Sequence, residues 1–199
     1  MANEKVVESK IPTPAEEVND LVAKGQKALA EFASFDQEKI DYIVAKMSVA
    51  GLDHHGDLAR KAIDETHRGV FEDKATKNLF ACEYVVNNMR HAKTVGIISQ
   101  DSVSGITEIA EPLGVVCGVT PVTNPTSTVI FKSLICMKTR NPIIFGFHPK
   151  AQQSSKAAAI VMRDAAIAAG APENCIQWIE HPSMEATSLL MNHPGVATI

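Results

Sequence analysis

The 199-residue chain is 45% hydrophobic, enough apolar material for a sizeable core, and carries a net charge of −4. Its charged residues, 21% of the total, are spread without long runs of one sign, which argues against nucleic acid or an anionic membrane as the main partner. No apolar run approaches the roughly 20 residues that span a bilayer. The polar segment Met1–Lys5 leads into no apolar stretch typical of a signal peptide. We therefore expect a cytoplasmic chain.

The cysteines and histidines do not predict a metal site. The four cysteines are widely separated and form no C-x-x-C pair, which favours buried, reduced thiols over a zinc site or a disulfide framework. The adjacent pair His54 and His55 points its side chains apart on a helix or a strand, so we interpret it as surface. The cysteines are Cys82, Cys117, Cys136 and Cys175.

Residues 1–93 are predicted to be helical. Thr13–Glu16 has the pattern of a capping box with proline at the first helical position, and apolar residues follow it at helical spacing. The next features predicted along the chain are a helix from near Asp36, a break over Gly51–His55, a shorter helix ended by Gly69 and a helix from about Glu72.

Residues 94–199 are predicted to alternate strands and helices. Val95–Ser99 and Ile106–Ala110 are rich in β-branched residues and predict two strands, which would suit a hairpin. Buried strands joined by single helices then indicate an open parallel, Rossmann-like sheet, so the fold class is α/β with a sheet incomplete at the C-terminus. Its predicted elements are strand Val115–Val119, helix Pro125–Lys138, strand Pro142–Phe145, helix Ser154–Ala169 closed by Gly170, strand Cys175–Ile179, helix Met184–Met191 and strand Val196–Ile199.

Three loops follow the predicted strands, where open parallel sheets bind their ligands. They are Thr120–Asn124, Gly146–Lys150 and Glu180–Ser183. In the second loop, Phe147 or His148 could pack on an adenine ring, although a solvated turn explains the same residues. No G-x-G-x-x-G fingerprint is present, so the usual dinucleotide motif does not identify a cofactor.

The loop Thr120–Asn124 is the strongest candidate for holding a carbonyl oxyanion or a dinucleotide. Pro121 and Pro125 restrict its conformations, which lowers the entropy cost of keeping one geometry. Thr123 and Asn124 offer side-chain donors at the positive end of the following helix. Asn124 also has a purely structural interpretation, as the N-cap of that helix.

Several blocks of sequence together carry a specific family resemblance. They are Glu31–Phe35, Glu72–Lys74, Ala110–Val116, Thr123–Thr128, Ile130–Leu134, Lys138–Asn141 and Ala166–Pro172. On these blocks, almost the whole chain resembles the acylating aldehyde dehydrogenase domain at the N-terminus of bifunctional aldehyde-alcohol dehydrogenases. It would form the N-terminal part of that family's NAD-binding domain, truncated at Ile199.

The resemblance implies NAD-dependent, coenzyme A-acylating oxidation of acetaldehyde, or its reverse, through a thioester on a cysteine. In non-acylating relatives, an asparagine of the first cofactor loop helps to hold the oxyanion; here that role falls to either Thr123 or Asn124. The cofactor-binding residues implied for this chain are Val119, Thr120, Pro121, Val122, Thr123 and Asn124.

The resemblance also implies which parts of the enzyme this chain does not contain. The family's Thr-Gly-Gly turn, its cysteine nucleophile, its carboxylate and its iron-dependent alcohol dehydrogenase half are expected beyond the position of Ile199. Cys117 and Cys136 do not match the nucleophile, because one falls in a predicted strand and the other within a predicted helix. We expect no catalytic residue and no metal here, and no activity from the 199 residues alone.

Two alternatives remain at the level of sequence. The chain could be a non-catalytic module for assembly, since the resemblance implies homo-oligomers or filaments in full-length relatives. An acyl-phosphate-reducing relative would keep the fold and change the substrate.

Overall fold

The computed structural model describes residues 11–199, so the segment Met1–Lys5, on which the expectation about a signal peptide rests, lies outside it. The order of elements confirms an α/β fold, with four helices preceding the sheets. The elements are α1 (Pro14–Phe32), α2 (Gln37–Asp53), α3 (His55–Thr66), α4 (Phe71–Met89), β1 (Gly96–Asp101), β2 (Ile106–Ala110), β3 (Val115–Val119), α5 (Pro125–Lys138), β4 (Ile143–Gly146), α6 (Gln152–Ala168), β5 (Ile176–Trp178), α7 (Met184–Met191) and β6 (Val196–Thr198).

The ends of several helices were predictable from local hydrogen-bonding chemistry. The capping box is present: Glu16 N donates to Thr13 Oγ1 at 3.3 Å, and Thr13 N donates to Glu16 Oε2 at 2.8 Å. Asp36 caps α2, and Gly170 follows α6 with a φ of +90°, the left-handed conformation that glycine favours. Within residues 11–199, no helix has both the length and the apolarity needed to cross a membrane.

Two predictions about helix ends were wrong. The break over Gly51–His55 is limited to His54, because α2 continues to Asp53. Gly51 instead allows close helix packing: a Cβ there would lie 2.5 Å from Cys82 Sγ. The third helix ends at Thr66 rather than at Gly69, because His67 adopts the left-handed conformation.

The strands form two separate sheets. β1 and β2 pair as an antiparallel hairpin, as their composition suggested, and the other four strands form a parallel sheet in the order β5-β4-β3-β6. This order puts β3 and β4 at the centre, as expected of a Rossmann-like sheet. The structure therefore confirms the predicted parallel sheet after a helical segment.

Alternation along β4 divides the core between the two faces of the parallel sheet. Ile143 and Phe145 belong to a large apolar cluster formed with α2, α5 and α6, and all three helices contribute fully buried side chains. Ile144 belongs to a smaller cluster with Val18 and Val22 of α1 and with Leu190 of α7. Helices thus cover both faces of the parallel sheet. This packing holds in place the strand ends at which the candidate loops begin.

Gly118 in β3 is required by packing between the two central strands. A Cβ at this position would lie 2.7 Å from Cδ1 of the Phe145 ring and 2.9 Å from Cδ1 of Ile143. Both of those side chains are fully buried, so they have little room to move.

We expect Gly118→Ala to destabilise the fold by roughly 1–3 kcal/mol, because it overpacks a rigid core. Gly56→Ala in α3 is the matched control, since a Cβ there meets no atom of the described part of the chain within 4 Å. It should leave stability unchanged or raise it by up to about 1 kcal/mol. Urea unfolding of both variants tests the difference, and a Gly118→Ala protein as stable as the parent would contradict the packing assignment.

Candidate functional site

The pairing of β3 with β4 brings two candidate loops together. Val119 lies opposite Gly146 in the parallel register, and Thr120 N donates to the Gly146 carbonyl at 3.2 Å. The loop Thr120–Asn124 therefore leaves the sheet directly beside the start of the loop Gly146–Lys150. α5 then begins at Pro125, in the first-turn position predicted for it.

One cavity lies at the carboxyl ends of β3 and β4, and we call it the sheet-edge cavity. Its volume is about 460 Å³, within the range of small-molecule sites. Thr120 is 2% exposed, and its buried hydroxyl has no hydrogen-bond partner among the described residues. The residues that line the cavity are Val119, Thr120, Gly146, Phe147, His148, Pro149, Gln152, Pro182, Ser183, Met184 and Thr187.

A second cavity, which we call the lysine cavity, lies on the other side of the loop. Its volume is about 640 Å³, and Thr123 and Asn124 line it together with the α3–α4 connection and the first turns of α4. Pro121 is exposed, Val122 is half-buried, and neither lines either cavity. The lysine cavity is lined by His67, Arg68, Gly69, Val70, Asp73, Lys74, Lys77, Thr123 and Asn124.

Four of the six predicted cofactor-binding residues are thus divided between two environments, and Pro121 and Val122 line neither cavity. Val119 and Thr120 face the sheet-edge cavity, whereas Thr123 and Asn124 face the lysine cavity. The sequence predicted the loop as a single binding segment, and nothing in its residue pattern indicated that its residues face two cavities. It also missed the lysines of α4, which lie more than 45 residues upstream and carry no local signal.

Asn124 occupies the N-cap position of α5, but its side chain makes no capping hydrogen bond. The carboxamide oxygen instead accepts a hydrogen bond from Lys77 Nζ at 3.0 Å, and Lys74 Nζ donates to the Thr123 carbonyl at 2.8 Å. Asn124 is therefore the N-cap residue of α5, as predicted, but its side chain does not cap the helix. Its amide is directed by tertiary contacts, so it is not committed to the helix end.

The other two candidate loops, Gly146–Lys150 and Glu180–Ser183, are held by side-chain packing and hydrogen bonds. Phe147 is only 6% exposed and packs with Phe145 and Trp178, with ring centroids 5.7 and 6.4 Å apart respectively. His148 Nδ1 accepts a hydrogen bond from Lys150 N. At the third loop, Glu180 N and His181 N both donate to a Glu17 carboxylate oxygen, at 2.6 and 3.2 Å.

None of the four cysteines is suited to nucleophilic catalysis. All are buried and free, as their apolar neighbours predicted. Burial raises the pKa of the Cys117 thiol to about 11 and that of Cys82, Cys136 and Cys175 to about 12. A protonated, enclosed thiol is a poor nucleophile at neutral pH.

The described residues also give no metal centre. His54 is exposed, and the half-buried His55 ring lies with Nδ1 2.6 Å from the Leu52 carbonyl. Across residues 11–199, no three side chains of histidine, cysteine, aspartate or glutamate lie together as a metal site requires.

Comparison with known proteins identifies the family. The model of the aldehyde dehydrogenase family matches residues 2–199. The chain belongs to the aldehyde dehydrogenase family. It is 68% identical over 189 residues to aldehyde-alcohol dehydrogenase 2 of Entamoeba histolytica, and 68% identical over 201 residues to an aldehyde-alcohol dehydrogenase of Streptococcus pneumoniae. These alignments cover 94% and 100% of this chain but 22% and 23% of the relatives, so the chain spans about a fifth of their length.

Solved structures of the family share the fold. An acetylating aldehyde dehydrogenase from Geobacillus thermoglucosidasius is 44% identical with a TM-score of 0.90, over 92% of this chain and 40% of that one. A propionaldehyde dehydrogenase from Rhodopseudomonas palustris, with bound CoA and an acylated cysteine, is 28% identical with a TM-score of 0.76 over 90% of this chain and 40% of its own. An engineered glycolyl-CoA reductase with bound NADP⁺ is also 28% identical with a TM-score of 0.76, over 90% of this chain and 40% of that one.

We expect Asn124→Ala to change the free energy of unfolding by less than about 0.5 kcal/mol, because no helix cap is lost. Asp36→Ala is the control, since Asp36 caps α2 through a 2.8 Å bond from Lys39 N, and it should cost about 1 kcal/mol. Thermal and urea unfolding of both variants measure the two losses. Equal losses would show that the Asn124 side chain does stabilise the start of α5.

Proposed function

We propose that this chain supplies the nucleotide-binding part of an NAD-dependent, coenzyme A-acylating acetaldehyde dehydrogenase. The observation that carries the proposal is the sheet-edge cavity, which lies beyond β3 and β4 in a chain of the aldehyde dehydrogenase family. In this proposal, Val119–Asn124 form the cofactor-binding loop, with Val119 and Thr120 against the nucleotide, and residues 1–199 form the N-terminal part of an NAD-binding domain.

The residues around the sheet-edge cavity fit a nucleotide. Gly146 leaves the space that a side chain would take, since a Cβ there would lie 3.6 Å from Thr187 Cγ2 and point toward the lining of the cavity. Among residues 11–199 the Thr120 hydroxyl has no hydrogen-bond partner, and the N-terminus of α7 beside Ser183 favours a phosphate. When bound, the nicotinamide nucleotide supplies a hydride acceptor. A solved relative with bound NADP⁺ supports a nicotinamide cofactor.

The acylation chemistry is proposed to use residues outside this chain. A solved relative with bound CoA and an acylated cysteine supports a thioester route, whereas the four thiols here are buried and burial raises the pKa of each. The nucleophile, the carboxylate and any iron site of an alcohol dehydrogenase half would then belong to the remaining four-fifths of the relatives' length. The 199 residues alone should form no NADH from acetaldehyde, coenzyme A and NAD.

A role in assembly is a second candidate, and the β1–β2 hairpin favours it. Every residue of β1 is exposed, and Ile97, Ile106 and Ile109 are 47%, 59% and 58% exposed. Exposed β-branched residues on a two-stranded ribbon are typical of a surface that another chain covers. We propose a homo-oligomer in the cytoplasm, where reduced thiols persist.

Filling the sheet-edge cavity should weaken nucleotide binding. We expect Gly146→Leu to weaken NAD⁺ binding by roughly tenfold or more, because the new side chain occupies the space of the ligand. Trp178 is the sole tryptophan and packs on Phe147, which lines the cavity, so its fluorescence should report the titration.

Gly56→Leu is the matched control, because it makes the same chemical change on α3 in open space. Gly146→Ala should bind with intermediate affinity and confirm that position 146 tolerates a side chain. Unchanged NAD⁺ affinity in a folded Gly146→Leu protein would contradict the assignment of this cavity to the cofactor.

A further inference from the structure

α4 places two lysines against the candidate oxyanion loop. Lys74 and Lys77 are three residues apart and so project from the same side of the helix. Lys74 Nζ contacts the backbone of the loop at the Thr123 carbonyl, and Lys77 Nζ contacts the side chain of Asn124. α4 therefore holds both the backbone of the loop and the orientation of the Asn124 carboxamide.

The contact with Lys77 determines which atom of the Asn124 carboxamide faces the lysine. An ammonium group can only donate hydrogen bonds, so the atom 3.0 Å from Lys77 Nζ must be the oxygen. The Nδ2 amino group then lies on the opposite side of the amide. The one acceptor it meets among the described residues is Thr123 Oγ1 at 3.5 Å, the outer limit of a hydrogen bond, so Nδ2 keeps donor capacity.

The lysine cavity is also electrostatically suited to an oxygen that gains negative charge. In residues 11–199, neither Lys74 nor Lys77 forms an ion pair with a carboxylate, and Asp73 is the one acidic residue of the lining. Lys74 is 9% exposed, and burial, with the neighbouring Lys77 charge, lowers its pKa. A nearby negative charge would raise the pKa of Lys74 and so offset both effects.

We propose that Lys77 is a positioning residue, which holds the Asn124 amide so that Nδ2 donates to the substrate carbonyl oxygen, while Lys74 holds the backbone of the same loop. The inference rests on the proposed function, because it assumes an aldehyde or thioester carbonyl at this loop. It assigns the oxyanion contact to Asn124 and leaves Thr123 a supporting role. Neither lysine forms a covalent bond or transfers a proton in this proposal.

The catalytic test uses a chimera in which this chain replaces the matching region of the Streptococcus pneumoniae relative. Lys77→Met should lower kcat for acetaldehyde by roughly 10- to 100-fold, because the donor loses its orientation. The KM for NAD⁺ and the thermal midpoint should stay unchanged, since Lys77 is exposed. Lys77→Arg should recover most of the lost activity, and Lys61→Met, an exposed lysine on α3, is the matched control.

A double-mutant cycle separates positioning from an independent effect. If Lys77 acts through Asn124, adding Lys77→Met to Asn124→Ala should cost no further activity. A further loss of about tenfold on the Asn124→Ala background, or a Lys77→Met enzyme with full kcat, would overturn the proposal.

A second measurement needs no turnover and so distinguishes this inference from failure of the proposed function. In the isotopically labelled 199-residue chain, the NMR signals of the Asn124 side-chain amide should shift in Lys77→Met and not in Lys61→Met. Unshifted signals in Lys77→Met would contradict the contact itself. An inactive parent chimera with shifted signals would count against the acylating function and leave the positioning contact established.

Discussion

The parallel pairing of β3 with β4 is the constraint on which the rest of the site depends. The register from Val116 opposite Ile143 to Val119 opposite Gly146 ends the two strands at the same level. Gly118 makes this pairing possible, because any larger residue would meet the Phe145 ring. The ends of the strands then create the sheet-edge cavity and direct the chain into the loop before α5.

The loop after β3 lies between two cavities whose linings differ in polarity and charge. Toward the sheet it presents Val119 and Thr120 to a mostly apolar cavity of about 460 Å³, and toward α4 it presents Thr123 and Asn124 to a basic one. A loop with a proline at each end suits this division, because restricted backbone angles hold its two sides in a fixed relation. In the proposed reaction, hydride transfer between the nicotinamide and a polarised carbonyl would use both sides of the loop.

Local sequence signals predicted the elements well where the cause of the structure is local. The capping box at Thr13 and the glycine after α6 depend on neighbours within a few residues, and both are present. The predicted break at Gly51 failed because that glycine serves a contact with Cys82, 31 positions along the chain. Sequence propensity treats glycine as a helix breaker, whereas here the absence of a Cβ is what the helix packing needs.

The candidate loop was predicted as a whole, but the division of its residues was not. Asn124 has the residue type and the position of an N-cap, and only the distant Lys77 directs its side chain elsewhere. Contacts of this kind join residues 47 and 49 positions apart, so neither composition nor periodicity could reveal them.

The most direct test of this division is an NMR titration of the isotopically labelled chain with adenosine monophosphate. We expect the backbone amide signals of Val119, Thr120, Gly146 and Thr187 to shift together with a single affinity, while those of His67, Arg68 and Lys74 stay in place. Shifts confined to the lysine cavity, or no saturable shift at the sheet edge, would contradict the assignment of the sheet-edge cavity to the nucleotide.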